Sequence, residues 1–202
     1  EYFQERNIPC KYLHFPRTDT PVFGKLIAMF LRGELGDIES VNPYLLALIY
    51  AGDRNEAKNI IREWMDINHL VVVDRYVYSN IGFQSAKLVE DKQIEALGDW
   101  IKYLEYEYYK IPKPDINLFL DVPFEFTKSQ LQEKRQGSDR DYLKGKEDIH
   151  ENDLQFQQAV RDIYLREISK EKDFVLIDCR NGAGNMLNSL EIRNAILKHL
   201  EL

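Results

Sequence analysis

Leu70-Val71-Val72-Val73-Asp74-Arg75-Tyr76 runs four apolar residues into an acid, a base and an aromatic ring. A short apolar run without alternation is the pattern of a strand covered on both faces, as in a parallel sheet flanked by helices. Ligands of such sheets sit beyond the carboxyl ends of the strands. An arginine at that end can grip a phosphate with two parallel N–H donors, and the neighbouring carboxylate can orient it or hold a metal-bound water. The Asp74-Arg75 dipeptide alone also suits a plain structural ion pair.

Upstream, Asn42-Pro43 sets a cap residue before proline at the first helical position, which predicts a helix reaching about Asn68. Leu45, Leu48, Ile49 and Gly52 suit its core side, while Tyr50 and Arg54, one turn apart, share a face. A ring there can stack on a base and a guanidinium can donate to a base carbonyl. Taken singly, Tyr50 also reads as core, and Arg54 as a solvated charge or a partner for Asp53. Nearer the start, residues 22–32 read as a helix and 10–15 as a strand, with Asn7-Ile8-Pro9 as a helix stop before it. Downstream, Asn80 carries a donor and an acceptor on one amide, matching the N3–H and carbonyl edge of a pyrimidine; it also suits a turn or cap.

Residues 91–109 read as a helix closed by Pro112 and Pro114, 116–122 as a strand, and a helix follows from Pro123. Residues 134–148 are polar and irregular; a helix is expected over 149–171, a strand over 174–177 and a last helix over 187–200. Strands separated by helices imply an α/β fold, a parallel sheet with helices on both faces. The four strands run into Phe15-Pro16-Arg17, Asp74-Arg75, Asp121 and Asp178, so arginines and carboxylates crowd one edge. Lys134, Arg135, Arg140, Lys144 and Lys146 gather in the irregular stretch, where a mobile basic loop could close over a polyphosphate; an ordinary solvated loop has the same composition.

Composition narrows the classes. With 202 residues and 44% hydrophobic content the chain can build one domain with a proper core. A net charge of −7 argues against nucleic acid or an anionic membrane as partner, since both call for a basic face. Cys10 and Cys179 lie far apart, without metal-ligand spacing, and fit buried thiols in a reducing cytoplasm. His14, His69, His150 and His199 are dispersed, and neither H-E-x-x-H nor G-x-S-x-G occurs, so hydrolase chemistry has no support.

Taken together, Phe15-Pro16-Arg17, Gly24-Lys25-Leu26, Ala51-Gly52-Asp53-Arg54, Asp74-Arg75-Tyr76 with Ser79-Asn80, Lys113-Pro114-Asp115 and Leu118-Phe119-Leu120-Asp121-Val122 resemble the thymidylate kinases, bacterial members in particular, from about Ile8 onward. The resemblance implies a three-layer P-loop kinase fold, a single domain over 1–202 with a lid over 132–149, dTMP and ATP as substrates, Mg²⁺, a cytoplasmic setting and a homodimer built through helices. It places Phe15 and Tyr50 around the thymine, Arg54 and Asn80 on the base edge, and Arg75 on the dTMP phosphate with Arg17 nearby. Asp74 supports the metal–phosphate region, Arg135 and Arg140 belong to the lid, Phe83 crowds the sugar, His150 and Glu151 lie on the sugar side, and Asn181 and Gly182 lie near the adenine. Three positions depart from the family pattern: Thr18 stands where many bacterial members have Tyr, Gln130 replaces an arginine that packs on adenine, and His150 replaces a Tyr of some relatives.

Members of that family open with a strand and a G-x-x-x-x-G-K-[ST] loop, and no such motif occurs in this sequence; Asn181-Gly182-Ala183-Gly184 lacks the lysine and the hydroxyl. The expectation is that roughly 20 residues, one strand and a loop opening a helix, precede Glu1 in the native protein. Without that strand, which the resemblance places mid-sheet, its neighbours keep unpaired backbone groups and the core opens. Two alternatives stay open: a deoxynucleoside kinase, and a non-catalytic module that holds dTMP.

Overall fold

The computed structural model describes residues 2–38, 40–132, 143 and 154–200. A short helix α1 (Tyr2–Glu5) ends at Asn7, whose φ of 56° turns the chain into β1 (Cys10–His14). Then come α2 (Phe23–Leu31), α3 (Pro43–Asp66), β2 (Leu70–Asp74), α4 (Val77–Ser85) and α5 (Asp91–Lys102). A π-helical turn (Tyr103–Tyr108) continues α5, and β3 (Asn117–Asp121), α6 (Phe124–Gln132), α7 (Leu154–Ile168), β4 (Phe174–Asp178) and α8 (Ser189–Leu197) complete the chain. The two proline signals hold: Asn42 caps α3 by accepting from the Tyr44 N–H at 2.9 Å, with Pro43 beside it.

All strand pairing is parallel, as the alternation predicts. β1 lies beside β2 with His14 opposite Asp74, and β3 beside β4 with Asp121 opposite Asp178. Helix α3 packs on β2, and α7 and α8 pack on β4. The two pairs are not hydrogen-bonded to one another. Between them runs a cleft of about 1720 Å³, lined along its length by β2 and β3, with Tyr164 and Arg161 among its walls.

Three helical stretches differ from the sequence reading. Val77–Ser85, to which the sequence reading assigns no element beyond a turn or cap at Asn80, is helix α4 and one of the most buried segments, with Val77, Tyr78, Asn80, Ile81, Gly82, Gln84 and Ser85 all inside. Its β-branched, aromatic and glycine residues are weak helix formers, and tertiary burial overrides that preference. The helix expected to reach Tyr109 widens into the π turn after Lys102. On α3, Leu45 and Leu48 are exposed rather than core; the inward stripe is Leu46, Ala47, Ala51, Arg54, Ala57 and Ile61. The main core joins Ala47, Val77, Ile81, Leu97, Ile101 and Ile163, so α3, α4, α5 and α7 meet at one point. Gly82 permits this: a Cβ there would stand 2.9 Å from Cε2 of Tyr164 on α7.

Candidate functional site

The site begins at the end of β2. Arg75 takes a left-handed backbone, φ 62°, which a non-glycine residue adopts at a cost of roughly 1–2 kcal/mol. The kink turns the chain directly into α4. The Arg75 side chain is exposed, and its guanidinium lies 5.2 Å from the centre of the Phe83 ring, one face of α4 away. Among the described residues Arg75 has no carboxylate partner. A cation held in strained backbone and left unpaired is available to an anion.

Asp74, its neighbour, points elsewhere. Its Oδ2 lies 3.0 Å from Nδ1 of His14 and accepts from the Tyr12 hydroxyl at 3.1 Å. The His14 hydrogen bond holds the Asp74 carboxyl below its ordinary range, against the pull of partial burial. Tyr12 and His14 alternate along β1, and parallel register brings them against the end of β2. The Asp74-Arg75 dipeptide is therefore not an ion pair with itself.

The second part of the site is buried. Arg54 on α3 is 2% exposed and forks onto Glu105 of the π turn: Nε donates to Oε2 at 2.5 Å and Nη2 to Oε1 at 2.7 Å. Burial works against the charge of Arg54, but the Glu105 carboxylate outweighs it and carries the guanidinium above its ordinary value. Asn80 on α4, also 2% exposed, donates its Nδ2 to Oε1 of Glu105 at 2.9 Å and to the Ala47 carbonyl at 3.0 Å. Arg54 and Asn80, 26 positions apart in sequence by subtraction of their numbers, thus share one carboxylate. Nothing in the sequence singles out Glu105; one of two acids in a tyrosine-rich stretch, with Glu107 beside it, it looks like a solvated charge, and it is 0% exposed.

Phe15 closes the group from β1. It is buried, with the guanidinium carbons of Arg17 and Arg54 at 5.7 and 6.0 Å from its ring centre. Arg17 is held by Asp53, not left free: its backbone N–H and Nε donate to the carboxylate at 2.8 and 2.9 Å, and Nη2 to the Asp53 carbonyl at 2.7 Å. Asp53 therefore pairs with Arg17, and Arg54, its sequence neighbour, with Glu105. Tyr50 is half-buried against the cluster of Ile27, Phe30, Leu31, Leu46 and Leu143. On α7, the Tyr164 hydroxyl meets Ser79 Oγ at 2.7 Å. Burial pushes that phenol up, opposed by the Ser79 bond and by the charges of Arg75 and Arg54, so both arginines lie within electrostatic reach of one ring.

Asn181 and Gly182 sit apart from this group, in an exposed turn after β4. The Asn181 Oδ1 accepts from the N–H groups of Ala183 and Asn185, both at 3.0 Å, and shapes the turn. Asp121, at the end of β3, is buried and clamped by Arg161 through bonds of 2.6 and 2.7 Å, with Arg180 at 3.4 Å. Asp178 is bound by Arg180 at 2.7 Å. Both carboxylates thus serve the sheet edge. Arg135, Arg140, His150 and Glu151 lie outside the described residues, as do Lys134, Lys144 and Lys146. Among the described residues no group of three or more His, Cys, Asp or Glu side chains could hold a metal ion by itself. No helix among them is long and apolar enough to cross a membrane.

Comparison with known proteins places the chain as a whole. The family model for thymidylate kinase matches residues 1–189. The thymidylate kinase of Mycobacterium tuberculosis (strain ATCC 25618 / H37Rv) is 32% identical over 152 residues, which span 75% of this chain and 68% of that protein. A probable thymidylate kinase of Methanocaldococcus jannaschii is 29% identical over 178 residues, 88% of this chain and 76% of its own length. Among solved structures, a thymidylate kinase from Candida albicans superposes with a TM-score of 0.68 at 20% identity, covering 99% of this chain and 83% of that one, and so shares its P-loop NTPase fold. On the extent of the family match and of these identities, the chain belongs to the thymidylate kinase family.

Proposed function

We propose that the chain moves the γ-phosphate of ATP to dTMP, giving dTDP and ADP. The observation that carries this reading is the two-ended site: a buried Arg54–Glu105–Asn80 network beside Phe15, and the exposed Arg75 at the end of β2, which has no carboxylate partner among the described residues. A flat base with a phosphate at its far end fits such a pair of ends. Phe15 and Tyr50 flank the thymine, Arg54 and Asn80 meet its edge, and Phe83 lies against the sugar, with His150 on the same side. Arg75 holds the acceptor phosphate; Arg17, tied to Asp53, adds positive potential next to it.

In the transfer, a dTMP phosphate oxygen attacks the γ-phosphorus as the bond from that phosphorus to the β–γ bridging oxygen breaks, and ADP leaves with the electron pair. Catalysis of this kind is positioning and charge neutralisation, without a covalent enzyme intermediate. Arg135 and Arg140 supply lid charge to the phosphates, and Asn181 and Gly182 border the adenine. Thymidylate kinases use ATP, generally with magnesium, which neutralises charge on the β- and γ-phosphates. Magnesium is commonly held through one carboxylate and substrate oxygens, with water in the remaining positions. Asp74, with one carboxylate oxygen engaged by His14 and Tyr12, fits that single, water-mediated role. The exposed Leu45 and Leu48 on α3 support pairing of two copies through that helix, and two free cysteines suit the cytoplasm.

The test is a coupled ADP-release assay across dTMP, dUMP, CMP, GMP and AMP, alongside calorimetry with dTMP alone. Turnover and binding selective for dTMP are expected. Phosphorylation of thymidine but not dTMP would replace this reading with a deoxynucleoside kinase; dTMP binding without ADP would replace it with a binding module.

A further inference from the structure

Asn80 has a buried Oδ1 with no hydrogen-bond partner among the described residues. An unmet acceptor in a low-dielectric interior is costly, and one beside a proposed ligand site can be met by that ligand. The orientation of the amide is not arbitrary. Both groups that face its other atom, the Ala47 carbonyl and Oε1 of Glu105, are pure acceptors, at 3.0 and 2.9 Å. Turning the amide over would set an oxygen against each of them, so the –NH₂ must stay where it is and the oxygen must be the open end. Arg54 is arranged the same way. Glu105 takes its Nε and Nη2, and Nη1 makes no hydrogen bond among the described residues.

The carboxylate that enforces both choices arrives from the π turn. A π turn inside a helix shifts the residues after it out of α-helical phase, and such turns gather at functional positions. Here the turn covers Tyr103–Tyr108, and Glu105 within it is fully buried while Tyr103 and Tyr108 are exposed.

We propose that Glu105 is a positioning residue that sets base specificity: by taking the Asn80 –NH₂ and two Arg54 donors, it leaves one acceptor, Asn80 Oδ1, and one donor, Arg54 Nη1, for the base. That pattern complements a pyrimidine edge with an N3–H donor beside a C4 carbonyl. It opposes cytosine at both places, because cytosine carries an N3 acceptor and a C4 amino donor. The inference rests on the reading of the site as a pyrimidine-nucleotide pocket, and adds which residue sets the polarity of its hydrogen bonds. It draws no distinction between thymine and uracil, which share that edge.

The experiment measures dTMP and dCMP binding by calorimetry on the full chain and on Glu105→Gln, whose carboxamide can present an N–H toward Asn80 and release it to turn over. The unmodified chain is expected to prefer dTMP, and E105Q to lose roughly ten- to hundredfold of that preference, with dCMP affinity held or improved. Equal affinity for the two ligands in the unmodified chain would overturn the reading of Arg54 and Asn80 as the base edge of a thymine-selective pocket. A clear preference there, kept unchanged in E105Q while both affinities drop together, would overturn only the role of Glu105 and leave it as a structural acid. If E105Q does not fold, hydrogen exchange of side-chain amides in the unmodified protein decides. Both Asn80 Nδ2 protons are expected to exchange at least tenfold more slowly than those of exposed Asn42, whose cap bond uses only its oxygen. Exchange of Asn80 as fast as Asn42 would overturn the proposal.

Discussion

Arg75 joins two properties that pull apart in energy: a left-handed backbone that stability disfavours, and an exposed guanidinium with no carboxylate partner among the described residues. Glycine at this position removes the backbone strain and the cation together. Arg75→Gly should therefore raise unfolding free energy by about 0.5–1 kcal/mol in urea titrations, while weakening dTMP binding by roughly a hundredfold in calorimetry. Arg75→Lys should restore little of that affinity, since an ammonium lacks the planar fork. A second residue gives a pH signature. The Nζ of Lys87 is buried without a hydrogen-bond partner among the described residues and lies 4.8 Å over the Phe30 ring. Burial pulls its pKa down to about 7. The unfolded chain keeps that amine protonated up to about pH 10.4, so between pH 7 and that value it binds more protons than the folded chain. Stability from this residue is thus lost as pH falls from about 10 toward 7 and stays low below it. Lys87→Met should flatten that slope and stabilise the protein at pH 6, on the order of 1–3 kcal/mol by chemical denaturation.

At the scale of elements, α4 shows packing overruling local preference. Val77-Tyr78-Ser79-Asn80-Ile81-Gly82 carries few good helix formers, yet it is helical because α3, α5 and α7 enclose it. Its glycine is part of that enclosure. Gly82→Ala adds helix propensity but drives a Cβ against the Tyr164 ring, which also stacks on Phe119 at 4.6 Å. The clash should prevail: a loss of about 1–3 kcal/mol, read as a lower urea midpoint at constant slope. Where an end signal is purely local, the sequence reading holds. Asn42 caps α3 as its place before Pro43 predicts, and Asn42→Ala should cost about 1 kcal/mol.

Across the whole molecule, the two strand pairs flank a wide cleft and the proposed nucleotide site lies against the β1–β2 pair. Its residues come from β1, α3, α4 and the π turn, so a ligand bound there ties together four segments distant in sequence. Saturating dTMP, at about a hundred times its Kd, should raise the melting temperature by roughly 5–10 °C, whereas dCMP at the same concentration should shift it far less. The opposite pair is held by charge instead. Asp121, buried under the bidentate Arg161, should be lost at a cost of about 3–5 kcal/mol on Asp121→Ala, because Arg161 would keep its charge without its partner.

The strands and most helices were legible in the order of residues, because periodicity, proline position and cap chemistry act over a few residues at a time. The place of Arg75, a short step from a strand end that an apolar run announces, was legible for the same reason. What tertiary structure alone decided is which acid meets which base. Arg54 bypasses adjacent Asp53 for Glu105, 51 positions away, and Asn80 reaches the same carboxylate across 25. Asp74 turns from Arg75 to His14, 60 positions back. Sequence proximity favours a neighbour only weakly. A buried ion must find the partner that desolvates with it, and that choice belongs to the packing of α3, α4 and the π turn around one carboxylate.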